Sequence, residues 1–435
     1  MKRTLIALFG AMLAASPAWA EEGAAALEIN GADTAWILVS AALVLLMTPG
    51  LAMFYGGMVR AKNVLGTIMH SFVAIAVITV QWVLVGYTLA FGPDVDGFIG
   101  SLDWAGLAGV GLDPSPIYAP TVPHLAFMIY QCMFAVITPA LISGAIAERM
   151  KFSAYLVFIL LWSTLVYDPV CHWIWGAGGW LGAMGVIDFA GGIVVHLTSG
   201  ISALIAALMI GARKHYKTEP MIPHNLPLTV LGAGLLWFGW FGFNAGSALS
   251  SGRIATLAFV TTHTAAATAM LVWMFVEWRH RGKATMFGAA TGCIAGLATI
   301  TPAAGFVSPA SAIAIGAAAG ALCYAALNMK DRLGYDDSLD AFGVHGVGGV
   351  VGTIGAGLLA STLMNPGGPD GALMGNVSTL FTQLKGIGIV AVYSVVVTVV
   401  LLKVIDGLIG LRVKDDHEVM GLDLSQHSEA GYDMR

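Results

Sequence analysis

Asp188-Phe189-Ala190-Gly191-Gly192-Ile193-Val194-Val195-His196 places a carboxylate and an imidazole in an apolar, glycine-rich run that continues to about residue 212. A second run, Asp340-Ala341-Phe342-Gly343-Val344-His345-Gly346-Val347-Gly348-Gly349, again buries one histidine among small and aliphatic residues. Each run is long enough to cross a bilayer, which takes about 20 residues. An ionisable side chain at that depth marks a functional site by default. The glycines let neighbouring helices approach closely, so both histidines are expected to line a narrow path between helices.

The rest of the chain agrees with a membrane setting. Of its 435 residues, 57% are hydrophobic and only 10% charged, which leaves too little polar surface for a soluble globule. The mean hydropathy is +0.81. The net charge of −5 is small and the basic residues lie in short scattered clusters, which argues against nucleic-acid binding. Cys132, Cys171, Cys293 and Cys323 lie in or beside apolar runs without metal-type spacing and read as reduced, small core hydrophobes.

Residues 1–20 read as a cleaved signal peptide: Lys2 and Arg3, an apolar stretch from Leu5 to Ala15, then the small-x-small site Ala18-Trp19-Ala20. The membrane domain then covers 21–412. Eleven spans are predicted at 34–58, 65–91, 123–147, 152–174, 190–212, 227–250, 254–278, 285–302, 306–328, 341–362 and 376–405. Alternate loops carry Arg60 and Lys62, Arg149 and Lys151, Arg213 to Lys217, Arg279 to Lys283, and Lys330 with Arg332. The other side has Arg253 and Lys385 and is otherwise acidic or neutral. The positive-inside rule therefore sets the N-terminus outside, in the periplasm, and the 413–435 tail in the cytoplasm.

Leu45 to Gly57 and Leu235 to Ser247 are weakly similar, and the fifth and tenth spans each carry a histidine. These two facts pair spans 1–5 (34–212) with spans 6–10 (227–362). Five spans per half force opposite orientations, so the fold is read as an all-α membrane protein of two inverted five-helix repeats, with an eleventh helix at 376–412.

The motifs Pro49-Gly50-Leu51-Ala52-Met53-Phe54-Tyr55-Gly56-Gly57, Gly144-Ala145-Ile146-Ala147-Glu148-Arg149, Gly239-Trp240-Phe241-Gly242-Phe243-Asn244-Ala245-Gly246-Ser247 and the two histidine runs occur in the order seen in bacterial ammonium transporters, a family the chain resembles from about Thr34 to its end. The resemblance implies an eleven-helix subunit in a homotrimer with one pore per subunit, ammonium or its analogue methylammonium as substrate, no cofactor and no enzymatic activity. It implies an outer cation site of Trp175, Phe134 and Ser247 with Asp188, a gate of Phe134 and Phe243 with Trp240 beside it, and a pore lined by His196 and His345. Tyr130 stands where the family often has a second phenylalanine, and one more residue lies between Trp175 and Asp188 than in the family's usual spacing.

Chemistry explains such a set. Ammonium matches potassium in charge and size, so a filter of charges or carbonyls admits both. Only the amine can become neutral by giving up a proton. Simple amines titrate near pH 10, so deprotonation near pH 7 costs roughly 4 kcal/mol. Aromatic faces attract the cation and a hydroxyl accepts a hydrogen bond from it.

Taken singly, each residue has a plainer reading. Aromatics fill cores and interfacial belts, and Asp188 at the start of a span is also an N-cap. We read Asp188 as a buried cap that adds its field, Asp340 as the cap of the tenth span, and His70 and His263 as histidines satisfied by backbone carbonyls. Two histidines without a third ligand make a poor zinc site. The tail Gly421-Leu422-Asp423-Leu424-Ser425-Gln426-His427-Ser428-Glu429-Ala430-Gly431-Tyr432 resembles the family's ordered C-terminal region, which implies a PII-type regulatory protein as partner at the cytoplasmic face of the inner membrane. The competing reading is an ammonium sensor that signals through a cytoplasmic partner with little flux.

Overall fold

The computed structural model describes residues 27–432, so the signal-peptide expectation for 1–20 lies outside the described residues. Eleven apolar helices follow one another: α1 (Gly31–Met58), α2 (Ala61–Phe91), α3 (His124–Ile146), α4 (Phe152–Ala183), α5 (Gly192–Ile210), α6 (Leu226–Ala245), α7 (Arg253–Arg281), α8 (Met286–Ile300), α9 (Pro309–Lys330), α10 (Phe342–Leu359) and α11 (Val377–Ile409). All but α8 are long enough to cross a membrane. At 15 residues α8 spans only about 22 Å, and from Gly288 onward it is buried among the other helices.

Local chemistry sets several boundaries. The Asn30 side chain accepts from the Ala32 and Asp33 N–H groups and starts α1. Thr285 caps α8 and Ser308 caps α9, where Pro309 occupies the first helical position. Gly282 ends α7, and Gly334 ends the helical turn that continues α9 to Leu333, at φ of 78° and 79°, the left-handed conformation that glycine adopts without strain. Between α2 and α3 the chain forms two small antiparallel hairpins, pairing Asp94–Val95 with Ile99–Gly100 and Pro114–Ser115 with Ala119–Pro123. They mark one end of the bundle; the C-terminal tail marks the other.

The two halves are inverted. α1 begins at the hairpin end, where Asn30 N–H donates to the Thr121 carbonyl. α6 begins at the tail end, where His224 and Asn225 donate to the Val59 and Gly57 carbonyls as α1 finishes. These matching helices lie against each other through glycine: a Cβ on Gly57 would overlap Thr229, and one on Gly232 would overlap the Phe54 backbone. α5 and α10 cross in the same way, with Gly200 against the Gly346 backbone and Gly349 against Gly192 and Leu197. α11 packs on α4, α5 and α10 from outside the two halves.

Candidate functional site

The two histidines sit on irregular turns. His196 lies in the π-helical turn Gly192–Leu197 and His345 in the turn Phe342–Gly346, at the starts of α5 and α10. Widened turns of this kind recur at functional sites because they aim a side chain that a regular helix would carry past its target. The Nδ1 atoms of His196 and His345 meet at 3.3 Å, with ring centroids 5.2 Å apart and planes at 19°. In such a contact one Nδ1 donates and the other accepts, so the pair holds a single proton between them. Both rings are buried, and Nε2 of His196 has no protein partner.

Aromatic rings continue from that pair towards the hairpin end. Trp240 stacks on His196 at 5.5 Å and Phe243 at 6.0 Å, with interplanar angles of 28° and 23°. The Trp240 indole is fixed by donating to Thr301 Oγ1 at 3.0 Å. Phe134 covers Phe243 at a centroid distance of 4.3 Å, and Trp175 meets Phe134 edge-on at 5.9 Å. On the histidine side of Phe243 lies a cavity of about 20 Å³, walled by Leu51, Val195, Ile294 and Val344. That is the scale of one water-sized molecule. On the other side a wider vestibule of about 310 Å³ is lined by Gln131, Trp175, Asp188 and Ser247. The sequence-predicted residues thus form one column, in the order Trp175 with Ser247 and Asp188, Phe134, Phe243, Trp240 with His196, then His345.

Asp188 sits in the turn before α5 and caps it. Its Oδ1 accepts from the N–H groups of Gly191 and Gly192, and its Oδ2 from those of Ile193 and Val194. Gly191 at φ 113° makes this turn possible. The Asp188 carbonyl accepts from the Trp175 indole at 2.7 Å, which ties the cap to the vestibule wall. The expected cap of α10 is a correction. Asp337, not Asp340, accepts from the Ala341 and Phe342 N–H groups, while Asp340 sits at φ 63° and binds Lys330 Nζ at 2.5 Å. Asp340 directly precedes the helix, but its left-handed backbone lacks the extended conformation of a capping residue, and its side chain turns to the lysine instead. The reassignment restores the repeat: Asp188 precedes His196 by the same eight residues as Asp337 precedes His345.

Tyr130 does more than replace a phenylalanine. Its hydroxyl lies 3.0 and 2.9 Å from the Gly242 and Phe243 carbonyls and 3.1 Å from Ser247 Oγ, which itself donates to the Phe243 carbonyl. This ties α3 to the π-helical turn Phe241–Ala245 that carries Phe243. The readings of His70 and His263 change as well. His70 is buried against Tyr155 with its Nδ1 unpartnered, and His263 is exposed beside Trp237.

Residues 35–432 match the model of the Ammonium Transporter Family. The chain belongs to that family. It is 51% identical over 401 residues to an ammonium transporter of Bacillus subtilis, covering 92% of this chain and 98% of that one. Ammonium transporter Amt1 of Archaeoglobus fulgidus is 46% identical, with 93% and 100% covered. Among solved structures it resembles Mep2 of Saccharomyces cerevisiae, with a TM-score of 0.84, 38% identity and 89% of each chain covered. It also resembles a protein titled Sensor Amt Protein, with a TM-score of 0.84, 30% identity and coverage of 91% and 98%.

In this ammonium transporter family chain the tail is ordered against the bundle, and sequence reasoning did not find the ionic lattice that holds it. Glu148, at φ 72°, accepts from Arg60 and Arg213, and Arg213 binds Asp336 at 2.8 Å, directly before the Asp337 cap. Burial pushes the Glu148 carboxyl up, but Arg213 and Arg60 hold it below its usual range overall. Asp336 is held low in the same way by Arg213. Glu418 of the tail joins Arg412 to the Lys214 N–H, and Asp423 accepts from the Leu65 and Gly66 N–H groups. The signal available was Glu148-Arg149 beside Lys151, charges too close to an apolar run to be left unpaired.

Proposed function

We propose that the chain takes up ammonium at the hairpin end, removes its proton and passes ammonia past Phe134 and Phe243 and along His196 and His345 towards the tail end. The observation that carries this reading is the close, tilted Phe134–Phe243 pair above a mostly apolar cavity of about 20 Å³ lined by the two histidines. An ion entering so small an apolar space would lose its hydration without replacement, at a cost of many kcal/mol, whereas neutral ammonia would not. Trp175 and Phe134 supply ring faces to the cation, Ser247 supplies an oxygen, and Asp188 supplies a negative field from its capped position. Inside, the unpartnered Nε2 of His196 offers ammonia a donor or an acceptor according to the tautomer.

The assembly is read as a homotrimer in the inner membrane with the hairpin end periplasmic, the tail end cytoplasmic and the tail surface open to a PII-type regulator. The positive-inside distribution supports that orientation. Likeness to the Sensor Amt Protein keeps a sensing role as the second reading. The two are separated by measuring ammonium-driven currents in proteoliposomes together with an internal pH dye. Ammonium-specific current, or an ammonia-driven pH change, at rates well above protein-free vesicles supports transport; neither signal, with ammonium binding intact, supports the sensor.

A further inference from the structure

His172 lies in the α4 segment Asp168–Trp175, three residues before Trp175 and the break in the helix at 176–179, and its ring is fully buried. Both of its nitrogens face oxygen acceptors. Nδ1 lies 3.0 Å from the Ala90 carbonyl, and Nε2 lies 2.8 Å from Asp94 Oδ1, whose side chain is 30% exposed at the hairpin end. A neutral imidazole has one N–H for these two acceptors. The Nε2–H tautomer serves Asp94 and turns a lone pair on the Ala90 carbonyl, and the Nδ1–H tautomer serves Ala90 and turns a lone pair on the carboxylate. Both contacts are attractive together only when the pair holds one further proton, as imidazolium and carboxylate or as imidazole and carboxylic acid.

One helical turn deeper, Asp168 lies on the same face of α4, about 6 Å along the axis. It is fully buried, its Oδ2 accepts from Gln81 Nε2 at 2.6 Å, and its Oδ1 is unpartnered. The Gln81 Oε1 and the Tyr167 hydroxyl are likewise buried without a partner. Asp94 is the titratable group in contact with His172; its chain neighbour Cys171 interacts with Asp168 and Asp188 and with Tyr87 of α2 and Tyr118 of the hairpin loop, and Tyr118 also with Asp94.

We propose that Asp94 and His172, with Asp168 beneath them, form a proton-binding site that opens at the hairpin end and controls the position of Trp175. The proposal rests on the transport reading for its effect on ammonium but not for its protonation. With the shared proton bound, Asp94 clamps the first hairpin to the turn of α4 that carries His172 and Trp175. The same carboxylate receives the Gly97 N–H, so hairpin and helix move together. With the proton lost, the neutral ring serves only one of its two acceptors and no longer ties the Asp94 carboxylate and the Ala90 carbonyl together, the turn loosens, and the Trp175 indole loses its fixed approach to the Asp188 carbonyl. The ligand is a proton from outside, and its effect is on substrate affinity rather than on the path past the histidines.

The test is ammonium uptake in proteoliposomes across about pH 5 to 8, where histidine titrates while simple amines remain cationic. The full-length protein is compared with its Asp94→Asn and His172→Gln variants. In Asp94→Asn the amide can donate to Nε2 and keep the contact without the shared proton. The wild-type KM should rise several-fold with pH at a nearly constant maximal rate, and Asp94→Asn should keep a low, flat KM. A wild-type pH slope retained in both variants, or absent from the wild type, overturns the proposal. Infrared titration of the carboxylate stretch provides a readout independent of transport: a band lost in both Asp94→Asn and His172→Gln supports the shared proton, and its persistence in His172→Gln rules it out. If uptake is absent altogether, that band still decides the proton site, so failure of the transport reading is told apart from failure of this one.

Discussion

Asp188 is satisfied by four backbone N–H groups, which is why a carboxylate can stay buried beside an aromatic vestibule without a cationic partner. Replacing it with alanine leaves four donors orphaned and removes the field at the proposed cation site. Uptake by Asp188→Ala should fall to the level of empty vesicles; full activity in a correctly assembled variant would remove Asp188 from the site. Changing His196 or His345 to glutamate puts a charge in a small, mostly apolar cavity. Ammonium flux should change or potassium should begin to pass, measured as potassium-driven current, and unchanged selectivity in both variants would count against the pair. At this scale the sequence was informative where chemistry is rare: two histidines in apolar runs are conspicuous. It was ambiguous where like residues crowd together. Asp336, Asp337 and Asp340 all precede the tenth span, and only the backbone at φ 63° shows that the third cannot cap it. The equal eight-residue interval before each histidine was the available clue.

The helix pairs α1–α6 and α5–α10 form the inverted core, and both rest on glycine contacts that leave no space for a methyl group. Gly200→Ala would set a Cβ into the Gly346 backbone beside His345, so it should destabilise the protein by about 1–3 kcal/mol or more. Thermal unfolding in detergent measures this, and a melting point equal to wild type would contradict the crossing. Spans were readable because length and apolarity are additive along a segment. The π-helical turns at His196, Phe243 and His345 were not, because they arise from tertiary fit rather than propensity. At the tail end, the folded pKa values of Glu148 and Asp336 lie below their unfolded values, so their stabilisation is complete above the unfolded pKa values of about 4. It is lost as pH falls through the lower folded values. Glu148→Gln should cost about 1.5–3 kcal/mol at neutral pH, because Arg213 keeps Asp336 but it and Arg60 lose a charged acceptor. The difference from wild type should shrink in acid, which a pH series of melting curves would show.

At the scale of the whole molecule, the hairpin end, the aromatic column, the histidine pair and the tail lattice lie in sequence along the bundle. One route from the tail to the histidine pair runs from Glu418 to Lys214, its neighbour Arg213 to Asp336, and Asp337 to the start of α10, and Arg412 also donates to the Ile210 carbonyl at the end of α5. Asp423→Ala should release the tail from α2 and speed its limited proteolysis without altering the pore, and protection equal to wild type would show that Asp423 does not hold it. Inversion of the halves was legible from an odd number of spans and the paired histidines, whereas the tail's docking depended on charges whose partners lie hundreds of residues away. The central claim is selection by deprotonation into an apolar path. It is tested most directly by imposing equal gradients of ammonium and potassium on the purified protein in proteoliposomes and recording current and internal pH. The account predicts an ammonium response that Asp188→Ala abolishes and that excess potassium neither produces nor reduces. A potassium current, or competition by potassium for the ammonium response, would contradict it.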